Sequence, residues 1–207
     1  MAKSSSPTSA SAARAEYPVL LLAARTNWVE WLQENHAAEP GVWMRFAKKA
    51  APFETVTYAE ALDVALCYGW IDGQLKKFDA HSYLLKFTPR GKKSIWSKVN
   101  VGHVERLITS GDMQPAGLAA VESAKRDGRW DRAYCSSSVS EVPEDLQHAL
   151  ELSPHAQAFF NTLKRDNRYA ILFRIQTAVK AETRVRRIAQ FVAMLERAET
   201  IHPVKPA

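Results

Sequence analysis

Residues 57–73 have the sequence TYAEALDVALCYGWIDG, and this stretch decides how the N-terminal half of the chain folds. Thr57 and Glu60 have the spacing of a capping box, which predicts the start of a helix. Apolar residues then recur every three or four positions as far as Gly69, and glycine favours a helix end. We therefore predict a helix that leads directly into the corner Trp70-Ile71-Asp72-Gly73.

The residues after this corner have the pattern of a β-hairpin. Asp72-Gly73 is a favoured turn dipeptide, and two extended segments, 74–78 and 81–87, follow it. Apolar and polar residues alternate in the second segment, as they do in a half-buried strand. Asp79-Ala80 separates the two segments, so we predict an antiparallel pair of strands.

The remaining sequence predicts further strands and many helices. Residues 19–23 and 42–46 have strand patterns. Asn27 and Asn100 are placed to cap helices, and Pro115 to begin one. The last third has helical patterns over 143–152, 154–163 and 168–196. The predicted fold class is α+β, with a small antiparallel sheet packed with helices and an all-helical C-terminal unit after it.

Composition divides the chain into three regions. Residues 1–16 are rich in Ser and Ala, which predicts a disordered leader. An α+β domain is predicted over 17–135 and a helical C-terminal subdomain over 141–198. The serine-rich segment 135–140 is the predicted boundary between them.

The composition is typical of a soluble protein, with 46% hydrophobic and 24% charged residues among 207. No apolar run reaches the roughly 20 residues that span a bilayer, so we predict no membrane span. Residues 18–24 are apolar enough to suggest a signal peptide, but the run is short and a helix follows it directly. We predict a cytoplasmic protein, and a periplasmic one is the alternative.

The net charge of +6 comes from one segment. Between Lys76 and Arg106 there are eight Lys or Arg residues, and the only acidic residues are Asp79 and Glu105. Eight minus two equals the excess of the whole chain, in which 28 basic residues stand against 22 acidic ones. We expect this segment to attract phosphate, carboxylate or an anionic surface.

The first candidate site is the corner at 68–73. Glycines on both sides of Trp70-Ile71-Asp72 permit a sharp change of direction. A carboxylate held beside an indole loses water and becomes a better proton acceptor, so Asp72 is the candidate catalytic residue. Whether the protein is an enzyme is left open. In the alternative interpretation, Asp72-Gly73 is an ordinary turn and Trp70 lies in the core.

The second candidate site is segment 87–100, which combines cations, hydroxyl groups and an indole just before a helix. Guanidinium and backbone N–H groups bind oxyanions, and an indole forms an apolar wall. With the corner, this segment predicts a pocket for a small anionic ligand. Its residues are Trp70, Asp72, Arg90, Lys93, Trp96, Ser97 and Asn100. The alternative is a solvated basic loop with its indole in the core.

A third candidate is the basic helix at 180–187, where Arg184 and Arg187 fall along one side. Together with Lys92 and Lys98 they form a predicted nucleic-acid surface. A solvated helix face is the structural alternative. The sequence has no metal-binding, nucleotide-binding or nucleophile motif, so we predict no metal and no cofactor.

The motifs of the corner and of segment 87–100 resemble the YdeI/OmpD-associated family, also called bacteriocin-protection proteins. The likeness extends from about residue 19 to residue 197. Its most specific parts are Trp70-Ile71-Asp72-Gly73 and Pro89-Arg90 with Trp96-Ser97 and Asn100. The resemblance implies a role in stress or antimicrobial-peptide resistance and association with an outer-membrane porin. It brings no catalytic residue with it.

Three functions are therefore kept open. The first is a stress-associated protein that binds a small anionic ligand in the predicted pocket. The second is a nucleic-acid-binding module that uses segment 76–106 and the helix at 184–187. The third is a protein-interaction role without a pocket, which separate burial of Trp70 and Trp96 would favour.

Overall fold

The computed structural model describes residues 17–203, so the predicted leader lies outside the described residues. The chain forms two compact units, which meet in sequence between Arg90 and Gly91. We call them unit 1 and unit 2. The domain boundary predicted at 135–140 stays a prediction.

Unit 1 contains a four-stranded sheet and two helices. In chain order these are β1 (Val19–Leu20), α1 (Arg25–Asn35), β2 (Val42–Ala47), α2 (Tyr58–Cys67), β3 (Trp70–Lys77) and β4 (Ser82–Pro89). The strand order is β1-β2-β4-β3, and β3 and β4 form the predicted hairpin. The α+β class is confirmed, but the sheet is mixed. β1 pairs with β2 in parallel, because α1 provides the crossover that a parallel pair requires.

The local signals around α2 act largely as the sequence predicts. The Thr57 hydroxyl accepts a bond from the Glu60 amide at 3.3 Å, and the Glu60 carboxylate accepts one from the Thr57 amide at 3.0 Å. The Thr57 hydroxyl also donates to the Glu60 carboxylate at 2.6 Å, and this bond, followed by the one from the Thr57 amide, lowers the pKa of the Glu60 carboxyl. Gly69 follows the helix with a φ of +73°, which a residue with a Cβ rarely adopts.

Two sequence predictions in unit 1 are wrong. Asp72-Gly73 is not a turn but part of β3, because the chain has already changed direction at Gly69. Between Asp72 and Leu75, β3 has one residue more than the paired part of β4, and the register of the two strands shifts there. Asn27 is not the N-cap of α1, since Ala24 holds that position and the Asn27 side chain accepts its amide at 3.3 Å.

The core of unit 1 lies between α1, α2 and one face of the sheet. On β2, Val42, Met44 and Phe46 are buried and alternate with half-buried residues, as period 2 requires. Trp28 of α1 packs edge-on against Phe87 of β4, with 5.7 Å between ring centroids. The helices therefore cover the face of the sheet that carries these residues.

Unit 2 is helical in the part that is described. Its helices are α3 (Lys98–Thr109), α4 (Pro115–Arg126), α5 (Glu144–Glu151), α6 (Pro154–Thr162), α7 (Arg165–Gln176) and α8 (Ala181–Glu196). Buried residues of α5 to α8 form one apolar cluster that includes Leu146, Phe160, Ile171 and Leu195. Among the described residues, no helix is both long and apolar enough to cross a bilayer.

The serine-rich segment before α5 is held against α7. The Gln176 side chain accepts from the Cys135 amide at 3.0 Å and donates to the Ser140 hydroxyl at 2.6 Å. The Tyr169 hydroxyl donates to the Cys135 carbonyl at 3.0 Å. Three side-chain bonds thus fix this segment to a single helix.

Candidate functional site

Trp70 lies in an aromatic cluster of the core of unit 1. Its side chain is 1% exposed, and its indole N–H donates to the His36 carbonyl at 3.1 Å. The ring stands edge-on to Trp28 and Trp31, at centroid distances of 6.2 and 5.7 Å. This is the packing role that the alternative interpretation of the corner predicts for Trp70.

Asp72 lies half-buried on β3, at the same end of the sheet as Arg90. Its carboxylate accepts a bond from the Tyr58 hydroxyl at 3.1 Å. The Arg90 amide donates to the Gly69 carbonyl at 2.8 Å, directly beyond the pairing of Trp70 with Pro89. The structure therefore brings the backbone of Arg90 beside the corner, as the predicted pocket requires.

The other predicted ligand-binding residues belong to unit 2. Trp96 is 2% exposed and packs against Trp130 at 4.9 Å between centroids. Ser97 is the N-cap of α3, and its hydroxyl accepts from the Asn100 amide at 3.1 Å. The prediction that Asn100 is the cap is wrong, because Ser97 begins the helix three residues earlier. Lys93 is exposed.

The seven predicted ligand-binding residues are thus divided between the two units. Trp70 and Trp96 are each buried by aromatic neighbours of their own unit, and Ser97 uses its hydroxyl as a cap. These roles account for three of the seven residues without a ligand. The pocket for a small anion stays a prediction.

The arginines of the predicted nucleic-acid surface are held by acceptors within unit 2. Arg184 donates to both oxygens of Asp145, at 2.5 and 2.8 Å, and to the Ile175 carbonyl at 3.0 Å. Arg187 donates to the Arg174 carbonyl. The hydrogen bond from Arg184 holds the pKa of the Asp145 carboxyl below its usual value. Lys92 and Lys98 are exposed.

The sequence patterns did not predict a groove that lies between α5 and α8. Its volume is about 500 Å³, and its lining consists of Asp145, Ala149, Leu152, Val185, Ile188, Ala189, Val192, Ala193 and Glu196. Leu152 is 75% exposed and Val185 is 68% exposed, so apolar side chains of the groove remain in contact with water. Sequence patterns did predict both helices, but they assigned no role to this face.

Two family models match the chain. Residues 20–120 match a domain of unknown function, DUF8412. Residues 139–198 match the family described as "Bacteriocin-protection, YdeI or OmpD-Associated", or OmdA. The chain carries an OmdA domain. This confirms the resemblance for the C-terminal part, whereas the corner and segment 87–100 lie in the stretch matched by DUF8412. No curated protein and no solved structure matches the chain.

The OmdA domain includes both helices of the α5–α8 groove, since Glu144–Glu151 and Ala181–Glu196 fall within 139–198. It also includes the Asp145–Arg184 ion pair and the apolar cluster beneath the groove. The groove is therefore a surface of the OmdA domain itself.

Proposed function

We propose that the OmdA domain is a peptide-binding module that holds an amphipathic, positively charged helix in the α5–α8 groove. This is the protein-interaction role kept open above, now assigned to a surface. The observation that carries it is an apolar groove between two helices of the family's own domain, in which the side chains of Leu152 and Val185 are exposed.

The shape of the groove suits a helix. Ala149, Ala189 and Ala193 are among its lining residues, and such small side chains allow another backbone to approach closely. Leu152 and Val185 stand exposed and offer apolar contacts. A helix that lays apolar residues into such a groove at spacings of three and four is a common mode of peptide recognition.

The charges of the groove favour a cationic partner. Asp145 and Glu196 are the charged residues of its lining, and both are acidic. Arg184 balances Asp145, whereas the carboxylate of Glu196 accepts a hydrogen bond from the neutral Ser153 hydroxyl at 2.7 Å. A Lys or Arg of the partner would thus gain most beside Glu196.

The family description agrees with a partner of this kind. It names bacteriocin protection, and the sequence resemblance implies resistance to antimicrobial peptides. Capture of a cationic amphipathic peptide is one physical route to such protection. The stress role and the cytoplasmic location are part of this proposal.

The test uses two synthetic helical peptides with the same Leu face, one with Lys and one with Glu on its polar face. Fluorescence anisotropy measures their binding to the full chain. We expect the Lys peptide to bind at micromolar concentrations, and Ala189→Arg to weaken it at least tenfold by filling the groove with a cation. Val99→Arg, at an exposed position of α3, is the matched control and should not change the affinity for either peptide. Equal binding of both peptides, or no effect of Ala189→Arg, would reject the proposal.

A further inference from the structure

The face of the sheet opposite α1 and α2 carries cations and aromatic rings. On the middle strand β4, Leu84 pairs with Arg45 of β2 and with Lys76 of β3, and Lys86 pairs with Trp43 of β2. These five side chains alternate with those that face α1 and α2, so they point away from the helices. We call this face, with the adjoining hairpin end, the outer face. Since two strand spacings separate Arg45 from Lys76, their Cα atoms lie about 10 Å apart.

Aromatic rings contact two cations of the outer face. The Arg45 guanidinium lies 5.0 Å from the Phe53 ring centre and 4.7 Å from that of Phe78. The Lys86 ammonium lies 3.8 Å above the Tyr17 ring. Phe78 is 51% exposed, so much of its ring remains in contact with water.

The hairpin end adds further positive charge. The Lys48 ammonium donates to the Asp79 and Ala80 carbonyls at 2.7 and 3.1 Å, which places it beside the turn. Lys49 follows it in the chain. Lys77 also ends β3 there, but it pairs with Tyr83, whose ring stacks on the core residue Phe46, so it lies on the face of the helices. Five cations therefore belong to the outer face: Arg45, Lys48, Lys49, Lys76 and Lys86. Asp79 is already bound to Arg45 at 2.7 Å.

We infer that the outer face binds single-stranded nucleic acid, a function separate from the peptide groove. Lysines on a surface neutralise phosphates, and an exposed ring stacks on an unpaired base. Acidic side chains of a peptide would satisfy the lysines but, unlike an unpaired base, carry no flat ring to pack on the exposed part of Phe78. The inference therefore rests on cations and rings that occur together, on residues different from the arginines first predicted.

The experiment measures anisotropy of a fluorescein-labelled thymidine 20-mer with the full chain at several salt concentrations. If four lysines contact phosphates, the logarithm of the affinity should fall with the logarithm of salt concentration with a slope of about −3. Lys76→Ser with Lys86→Ser should make that slope shallower by about 1.4, because each lost contact removes about 0.7. Phe78→Ala should weaken binding about tenfold through lost stacking.

The matched control is Lys125→Ser with Arg126→Ser, which removes the same charge from an exposed part of α4 in unit 2. It should change the affinity less than twofold. Equal losses in both double variants would overturn the inference, as would full competition by poly-glutamate, which indicates an acidic protein partner. Lysines also protect edge strands such as β3 from pairing. Self-association of the Lys76/Lys86 variant in gel filtration, with unchanged oligonucleotide binding, would also overturn it.

Discussion

The Trp70 corner of unit 1 and the α5–α8 groove of unit 2 differ in every property that matters for recognition. Trp70 is 1% exposed and has three tryptophan or histidine neighbours that satisfy its ring and its N–H group. In the groove, Leu152 is 75% exposed and Val185 is 68% exposed. One region is closed by its own unit, whereas the other leaves apolar side chains in contact with water.

The comparison shows that a residue that is distinctive in the sequence need not be accessible in the structure. A tryptophan between glycines attracts notice in a sequence, yet its large apolar area is most stable when it is buried. A stripe of alanine and valine on a helix is ordinary in sequence. It becomes informative only when the structure shows that its side chains are exposed among the described residues.

The largest expected effect tests whether the corner is packing. Trp70→Ala should lower the free energy of unfolding by about 3–5 kcal/mol, since it removes a buried indole and leaves a cavity. Urea unfolding followed by circular dichroism measures the loss. Trp31→Ala is the control and should cost less, because Trp31 is only half-buried. A cost below about 1 kcal/mol for Trp70→Ala would contradict the packing role.

A smaller effect should separate capping from ligand binding in segment 87–100. Ser97→Ala should cost about 1 kcal/mol, because the Asn100 amide loses its side-chain acceptor. Asn100→Ala should change stability by less than about 0.5 kcal/mol. Thermal unfolding in the presence of a panel of anionic metabolites completes the test. If a metabolite stabilises the wild type but neither Asn100→Ala nor Arg90→Ala, this result would support the predicted pocket.

The ion pair beside the groove should make stability depend on pH. Arg184 lowers the pKa of the Asp145 carboxyl, so the folded state binds this proton less readily than the unfolded state. The stabilisation is therefore present above the unfolded pKa of about 3.9 and is lost as the pH falls through the lower folded pKa. We expect about 0.5–1 kcal/mol, because both side chains are partly exposed.

Asp145→Asn should remove this part of the pH dependence, which lies below about pH 4. Asp131→Asn, which changes an exposed aspartate of the same unit, is the control and should leave the pH profile as it is. Parallel pH profiles of wild type and Asp145→Asn would show that the pair contributes nothing.

The smallest expected effect on stability belongs to the groove. Leu152→Ser and Val185→Ser should each change the free energy of unfolding by less than about 0.5 kcal/mol. Both should nevertheless weaken the Lys-faced peptide. Leu150→Ala, two residues before Leu152 and only 1% exposed, should instead cost about 2–5 kcal/mol. A large loss of stability in the serine variants would mean that the groove is part of the core.

Much of the fold was accessible from sequence because its signals are local. The Thr57–Glu60 capping box, the Gly69 helix end and the β3–β4 hairpin all depend on residues within a few positions of each other. The errors are local too. Asn27 and Asn100 are good capping residues, but each occupies the third position of its helix, where Asn27 accepts the Ala24 amide and Asn100 donates to Ser97.

The sites were less accessible, because exposure is a property of the assembled unit. An apolar stripe on α8 has the same pattern whether it meets another helix or water. The same limit applies to the cations. Lys48 and Lys49 lie far in sequence from Lys76, and only the pairing of β2, β4 and β3 places them at one end of the sheet.

The guanidinium of Arg184 connects three helices. It reaches Asp145 on α5 and the Ile175 carbonyl on α7 while its own backbone belongs to α8. Just beyond the other end of α5, the Ser153 hydroxyl donates to Glu196 of α8 at 2.7 Å. Polar bonds therefore tie α5 and α8 together at both ends of the groove, so the proposed guest helix would have to fit between two fixed borders.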